Sequence, residues 1–180
     1  MKLFIGLGNP EERFLGTRHN VGFMLLDELA KNWGAGWKES PRHKALVAIH
    51  KDFILAKPLT FMNDSGKAVS SLTNYYKISP TNLYVIHDDL DIKLGEFKIQ
   101  KGKGPKDHKG LLSIYKELKT KDFWHVRIGT ENRSENNKEG RALGETYVLQ
   151  KFSVDETKVV NKVFKEVIGK LEVVGVKLNQ

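Results

Sequence analysis

The chain opens with a short apolar run, Lys2 to Gly6, that breaks at Gly8-Asn9-Pro10 and passes through a charged loop. It then reaches Thr17-Arg18-His19-Asn20, immediately before an apolar segment of helical period. A strand, a polar loop and a helix entry in that order form the first unit of an α/β protein. The loop beyond such a strand is where an open α/β sheet gathers a site. The rest of the chain is read as arranged to bring a carboxylate, amides and positive charge to His19.

Val21, Met24, Leu25, Leu29 and Trp33 recur at helical spacing and predict a helix ending near Gly34. Ala45 to Ile49 and Phe53 to Ala56, separated by His50-Lys51-Asp52, read as a hairpin. Pro58 to Ser65 reads as a loop and Gly66 to Lys77 as a second helix, stopped by Ser79-Pro80-Thr81-Asn82. Leu83 to Ile86 is a compact buried strand ending in His87-Asp88-Asp89, and Glu96 to Gln100 is a further strand. Lys101 to Lys109 mixes lysines with glycine and proline breakers and reads as a mobile basic loop. Leu111 to Lys119 is amphipathic, Trp124 to Gly129 is a strand, and Thr130 to Gly140 reads as a polar segment without structure. Ser153-x-x-Glu156 is a capping box opening a last helix, with Val159, Val160, Val163, Phe164, Val167 and Leu171 as its buried stripe. The expectation is an α/β fold in a single domain over residues 1–180. Its sheet is twisted and mixed, largely parallel, and flanked by helices.

With 180 residues, 39% hydrophobic and 29% charged, the chain is long enough for a core of its own and too apolar for disorder. It has no cysteine, which excludes disulfides, thiolate catalysis and thiolate-bound zinc. No apolar run approaches the ~20 residues of a membrane span and no secretory leader is read at the start. An intracellular location without membrane contact is therefore the default expectation. Thirty Lys and Arg against 22 Asp and Glu give a formal +8, which favours a polyanionic partner, nucleic acid ahead of a membrane surface.

Gly6-Leu7-Gly8 after a strand is a poor dinucleotide fingerprint, because Glu11 holds the third glycine position and Pro10 follows the turn. Asp64-Ser65-Gly66-Lys67 lacks the spacing of a phosphate loop, and no serine sits in a Gly-x-Ser-x-Gly elbow. Asp88, Asp89 and Asp91 beside His87 could hold a hard cation. Without further matched ligands a solvated or capping strand end is the better reading, and no metal is assigned.

The stronger constellation pairs His19 with Asp88. A neutral imidazole accepts a proton from water near neutral pH, and a carboxylate on its other nitrogen holds the tautomer and stabilises the imidazolium. Both residues are expected just beyond strand C-termini. Asn9, Asn20 and Asn63 then supply amides to orient water or donate to an oxyanion. His43 and His50 are expected at the surface and His125 facing solvent. His108 opens a helix within the basic loop, in reach of an anionic ligand. Trp33, Trp37 and Trp124 are read as core.

Four blocks together resemble the bacterial peptidyl-tRNA hydrolase family. They are Gly6-Leu7-Gly8-Asn9-Pro10 with Thr17-Arg18-His19-Asn20-Val21-Gly22; Lys57 to Lys67; His87-Asp88-Asp89-Leu90-Asp91 with Gly95; and His108-Lys109-Gly110-Leu111 ahead of Arg127-Ile128-Gly129. The resemblance implies a metal-free esterase of the cytoplasm, without cofactor and usually monomeric. It would cleave the ester between a peptide and the 3′ ribose of tRNA. Carried over by position, His19 is the catalytic base, Asp88 its support, and Asn9 a discriminator between N-blocked and free aminoacyl groups. Phe14 (tyrosine in many members), Phe61 and Asn63 line the groove for the terminal adenosine and peptide. Lys98, Lys101, Lys103, Lys106 and Arg127 are expected phosphate contacts, Arg127 foremost.

The family's Gly-His-Asn-Gly-Leu stands here as Asp107-His108-Lys109-Gly110-Leu111. Lys109 can donate but not accept, so it changes how substrate or water is held at that position. It motivates the alternative reading, an RNA-binding relative with weak or lost hydrolysis. A third reading, a metal-dependent peptidase on a similar scaffold, would require chelator-sensitive activity.

Overall fold

All five residues of β1 (Lys2–Gly6) are buried, and the rest of the fold is built outward from it. The structure is a computed structural model and describes residues 1–134 and 141–176. β1 pairs in parallel with β4 (Phe53–Pro58) on one side and β5 (Leu83–Lys93) on the other. β7 (Trp124–Glu131) extends the parallel run beyond β5. Antiparallel strands finish both edges: β3 (Ala45–His50) and β2 (Lys38–Ser40) beside β4, and β6 (Phe97–Lys101) beside β7. The seven-stranded sheet, in the order β2-β3-β4-β1-β5-β7-β6, is thus mixed and parallel through its centre, as expected. The expected hairpin is β3–β4, turned through Lys51 at φ 52° and Asp52.

Helices cover both faces, which lets the central strands be apolar throughout. Phe4 packs in a core with α1 (Val21–Trp33) and α5 (Val154–Val176). Leu3 and Ile5, on alternate positions, pack in a second core with α2 (Ser65–Tyr75) and α3 (Lys109–Leu118). α1 stops where Gly34 turns left-handed at φ 63° and its N–H caps Ala30 O and Lys31 O. The capping box of α5 closes in both directions: Glu156 N–H donates to Ser153 Oγ at 3.2 Å and Ser153 N–H to Glu156 Oε2 at 2.8 Å. α4 (Arg141–Val148) and β2 carry too little apolar pattern to have been predicted.

Several expectations are corrected. β5 does not end at Ile86; it runs through His87-Asp88-Asp89 to Lys93 because β7 keeps pairing with it. β1 does end at Gly6, and Leu7 N–H donates to Ile86 O just beyond. Asp88 therefore lies past the end of its neighbouring strand, not of its own. Thr130 and Glu131 belong to β7, while residues 135–140 of the segment read as structureless lie outside the described residues. His43 is buried with its Nδ1 2.7 Å from Ser71 Oγ, and His125 is 0% exposed and stacked on Phe123. A neutral imidazole can leave water where its nitrogens find partners, as His43 does in Ser71 and His125 does through Nδ1 in His87.

Gly22 in the first turn of α1 lets the helix approach the strand ends. A Cβ there would lie 2.5 Å from both Ile86 O and Leu7 N. Gly22→Ala should force α1 off the sheet and cost about 2–3 kcal/mol, read as a lowered urea midpoint at unchanged slope. An alanine variant as stable as the parent would show that this approach is not needed.

Candidate active site

His19 occupies a short 3-10 turn, Arg18–Asn20, that runs straight into α1. Asn20 ties this turn to the loop after β1: its Oδ1 accepts from Asn9 N–H and its Nδ2 donates to Asn9 O, each at 2.9 Å. Asn9 Oδ1 accepts in turn from Met62 N–H at 2.9 Å, bringing in the loop after β4. His19 Nδ1 lies 2.8 Å from Asp88 Oδ1, the contact on which a base at this position depends. His108, the N-cap of α3, places its Nε2 2.9 Å from the same Asp88 oxygen. His108 Nδ1 accepts from Leu111 N–H at 3.4 Å, so the ring proton resides on Nε2 and is donated to Asp88. One buried carboxylate oxygen thus collects two imidazole N–H groups, and His19 Nε2 has no hydrogen-bond partner among the described residues.

A family model described as peptidyl-tRNA hydrolase matches residues 3–179. The chain belongs to the peptidyl-tRNA hydrolase family. It is 42% identical over 165 residues to a peptidyl-tRNA hydrolase of Helicobacter acinonychis, covering 92% of this chain and 83% of that protein. It is 39% identical over 174 residues to a peptidyl-tRNA hydrolase of Aquifex aeolicus, covering 93% and 86%. Among solved structures, peptidyl-tRNA hydrolase from Acinetobacter baumannii superposes with a TM-score of 0.89 at 27% identity, covering 100% of this chain and 91% of that one.

In this hydrolase the electrostatics of the site follow from burial and pairing. Burial would raise the Asp88 carboxyl, yet the two imidazoles beside it hold it far below the usual carboxylate range. Burial would lower His19, but the charge and hydrogen bond of Asp88 carry it above the ordinary histidine value, with the Lys109 ammonium opposing. Lys109 is exposed and pairs with Glu145 of α4 at 3.3 Å. Phe61, 51% exposed, and Asn63 flank Met62 on the loop tied to Asn9. Phe14 lies on the turn Glu12–Phe14 under the Arg13 guanidinium. Arg127 is not gathered into the His19 cluster: its Nε donates to Asp89 Oδ2 at 2.7 Å and its NH1 to Gln100 Oε1 at 2.8 Å.

The sets of residues able to hold a cation differ from expectation. Asp89 is taken by Arg127 and by Asp91 N–H, so Asp88, Asp89 and Asp91 do not form a cluster. His19, Asp88 and His108 do offer ligand atoms within 4.8 Å of one another. A cation there would have to displace the proton on His108 Nε2 and leave Leu111 N–H facing a protonated Nδ1. The Asp88 oxygen already accepts from both rings.

Behind Asp88 lies a pair that sequence reading missed. His87 Nδ1–H donates to Asp88 O at 2.9 Å, and His87 Nε2 accepts from His125 Nδ1–H at 3.2 Å. Burial, with the charges of His108 and His125, holds His87 well below the ordinary value. Burial and the charge of Arg127 lower His125 from 6.5 to about 4. Both rings stay neutral when folded but protonate readily once unfolded. As pH falls from 6.5 to about 4, the unfolded chain takes up protons first and stability is lost. His19 acts in the opposite sense, its contribution being present at low pH and lost as pH rises through its raised value, but it is one ring against two. The urea midpoint should therefore fall between pH 7 and pH 5; a rise would overturn this reading of the buried pair.

Proposed function

We propose that this hydrolase splits the ester between the peptidyl group and the 3′ ribose of tRNA with His19 Nε2 as general base. The observation that carries the reading is the 2.8 Å contact between His19 Nδ1 and Asp88 Oδ1, which leaves Nε2 as the unpartnered basic nitrogen. Nε2 takes a proton from water, the hydroxide oxygen bonds to the ester carbonyl carbon, and the carbonyl electrons move to its oxygen. Collapse breaks the bond between carbon and ribose oxygen, and the imidazolium returns its proton to that oxygen. The products are tRNA with a free 3′ hydroxyl and a peptide acid. Asp88 steadies the imidazolium between the two transfers, as a buried carboxylate does for other catalytic histidines.

Asn9 Oδ1 is occupied by Met62 N–H, which orients the amide so that Nδ2 serves the substrate. Donation from Nδ2 to the blocked peptide would separate it from a free amino group. Phe61, Asn63 and Phe14 would line the groove for the terminal adenosine and peptide, Phe61 and Asn63 from the loop tied to Asn9. Lysines of the segment 98–106 meet phosphates, a role the +8 balance supports. Arg127, held by Asp89 and Gln100, would meet phosphate from a fixed position. An ester needs neither metal nor cofactor for this route, since water activation and amide donation suffice. No helix among the described residues is long and apolar enough to cross a membrane, and we read the protein as a cytoplasmic monomer with one hydrolase domain over residues 1–180.

The test is incubation of the chain with N-acetyl-aminoacyl-tRNA and with free aminoacyl-tRNA, following release of deacylated tRNA. Release from the blocked substrate, faster than from the free one, is expected. Tight tRNA binding without release would make the chain an RNA-binding relative instead.

A further inference from the structure

We propose that Arg18 is a positioning residue for His19, locking the turn that carries the imidazole onto the junction between α4 and α5. The proposal rests on His19 acting as the base. Arg18 lies one residue from His19, and its side chain is 6% exposed. Its NH1 donates to Gln150 O and Lys151 O, each at 3.1 Å, and its NH2 to both oxygens of Glu156 at 2.8 and 2.9 Å. The guanidinium carbon sits 4.1 Å from the centre of the Tyr147 ring. The backbone is strapped at the same place: Arg18 N–H donates to Gln150 O at 3.1 Å, and Phe152 N–H to Gly16 O at 3.0 Å.

The receiving side is itself held. Glu156 also accepts from Ser153 N–H and from Asn132 Nδ2, and the Tyr147 hydroxyl donates to Thr130 O. A planar fork can satisfy two carbonyls and a carboxylate at once, while a lysine ammonium offers no such geometry. The turn is three residues long, and both neighbours of His19 are anchored: Asn20 within the loop through Asn9, and Arg18 outside it. The imidazole is thereby presented to Asp88 with its backbone already fixed. Misplacement of a catalytic group by about 1 Å can cost roughly a hundredfold in rate.

The experiment uses the full chain as Arg18→Met, Arg18→Lys and Glu156→Gln. It measures kcat and KM on N-acetyl-aminoacyl-tRNA, together with an NMR titration of the His19 ring. Arg18→Met should lower kcat about ten- to a hundredfold with KM nearly unchanged, Arg18→Lys should fall between it and the parent, and Glu156→Gln should lose less. In both Arg18 variants, the His19 titration should move to lower pH, because a ring loosened from Asp88 loses what raises it. Simple removal of a nearby positive charge would move it to higher pH instead. A titration that moves up, or stays put while kcat falls only with the folded fraction, overturns the proposal. Should Arg18→Met not fold, Arg18→Lys gives the deciding readout, because it keeps the positive charge and loses only the fork; in Glu156→Gln the lost negative charge itself lowers the His19 titration, so that variant is read by kcat alone. A His19→Ala chain with full turnover would overturn the base assignment, yet the NMR titration would still decide whether Arg18 holds His19 on Asp88.

Discussion

His19→Ala is expected to lower kcat on N-blocked aminoacyl-tRNA by about 10²–10⁴-fold, the range that a positioned general base contributes. The ring meets Asp88 Oδ1 through Nδ1 at 2.8 Å and its centre lies 4.8 Å from that of the His108 ring, so the urea midpoint of the variant is compared with the parent's alongside its rate. Residual hydrolysis above the uncatalysed rate should persist, because the Asn9 backbone stays tied to Asn20 and its side-chain amide to Met62 N–H. KM should change less than threefold or so, since the phosphate contacts proposed for tRNA lie away from the ring. Single-turnover release of tRNA separates these effects. Equal rates for parent and variant would remove His19 from the mechanism.

Asp88→Asn should reduce kcat/KM by roughly 10³-fold and move the rising limb of its pH profile to lower pH. The base must be neutral to act, so in the parent the rate climbs as pH rises through the His19 value, which Asp88 keeps above the ordinary one. An amide keeps the volume and can still accept from His19, but it cannot stabilise the imidazolium. The His19 value should then fall, so the variant reaches its lower plateau at a more acidic pH. Its fold should survive, because a neutral amide is less costly to bury than a carboxylate. A limb that stays in place would mean that Asp88 does not set the protonation of the base.

The parts of this molecule legible in its sequence are those whose cause is local. The helical spacing from Val21 to Trp33, the β3–β4 hairpin and the Ser153–Glu156 box all appear close to where they were expected. His19 and Asp88 were also found together, through chemistry and the family resemblance, though they lie 69 residues apart. What escaped depends on distant partners. β5 continues past Ile86 only because β7 lies alongside, and nothing within His87-Asp88-Asp89 announces that. His108 was expected within reach of an anionic ligand; in the fold it donates to Asp88, a partner its own segment does not announce. Glu156 had a sufficient local role as a cap, which hid its second one as the counter-ion of Arg18. His125 and Arg127 find their partners across strand pairings, where residue type alone gives no direction.

The clasp between residues 18 and 156 has a bearing on biosynthesis, because 138 positions of chain separate its two halves. Such a long loop is closed at an entropic cost that grows only slowly with its length, but it cannot be closed before its later half exists. On a translating ribosome the amino-terminal catalytic turn must wait for nearly all of the polypeptide to emerge. The Arg18–Glu156 clasp is thereby completed only late in synthesis, and a product stopped shortly before residue 156 would carry His19, Asp88 and His108 without it.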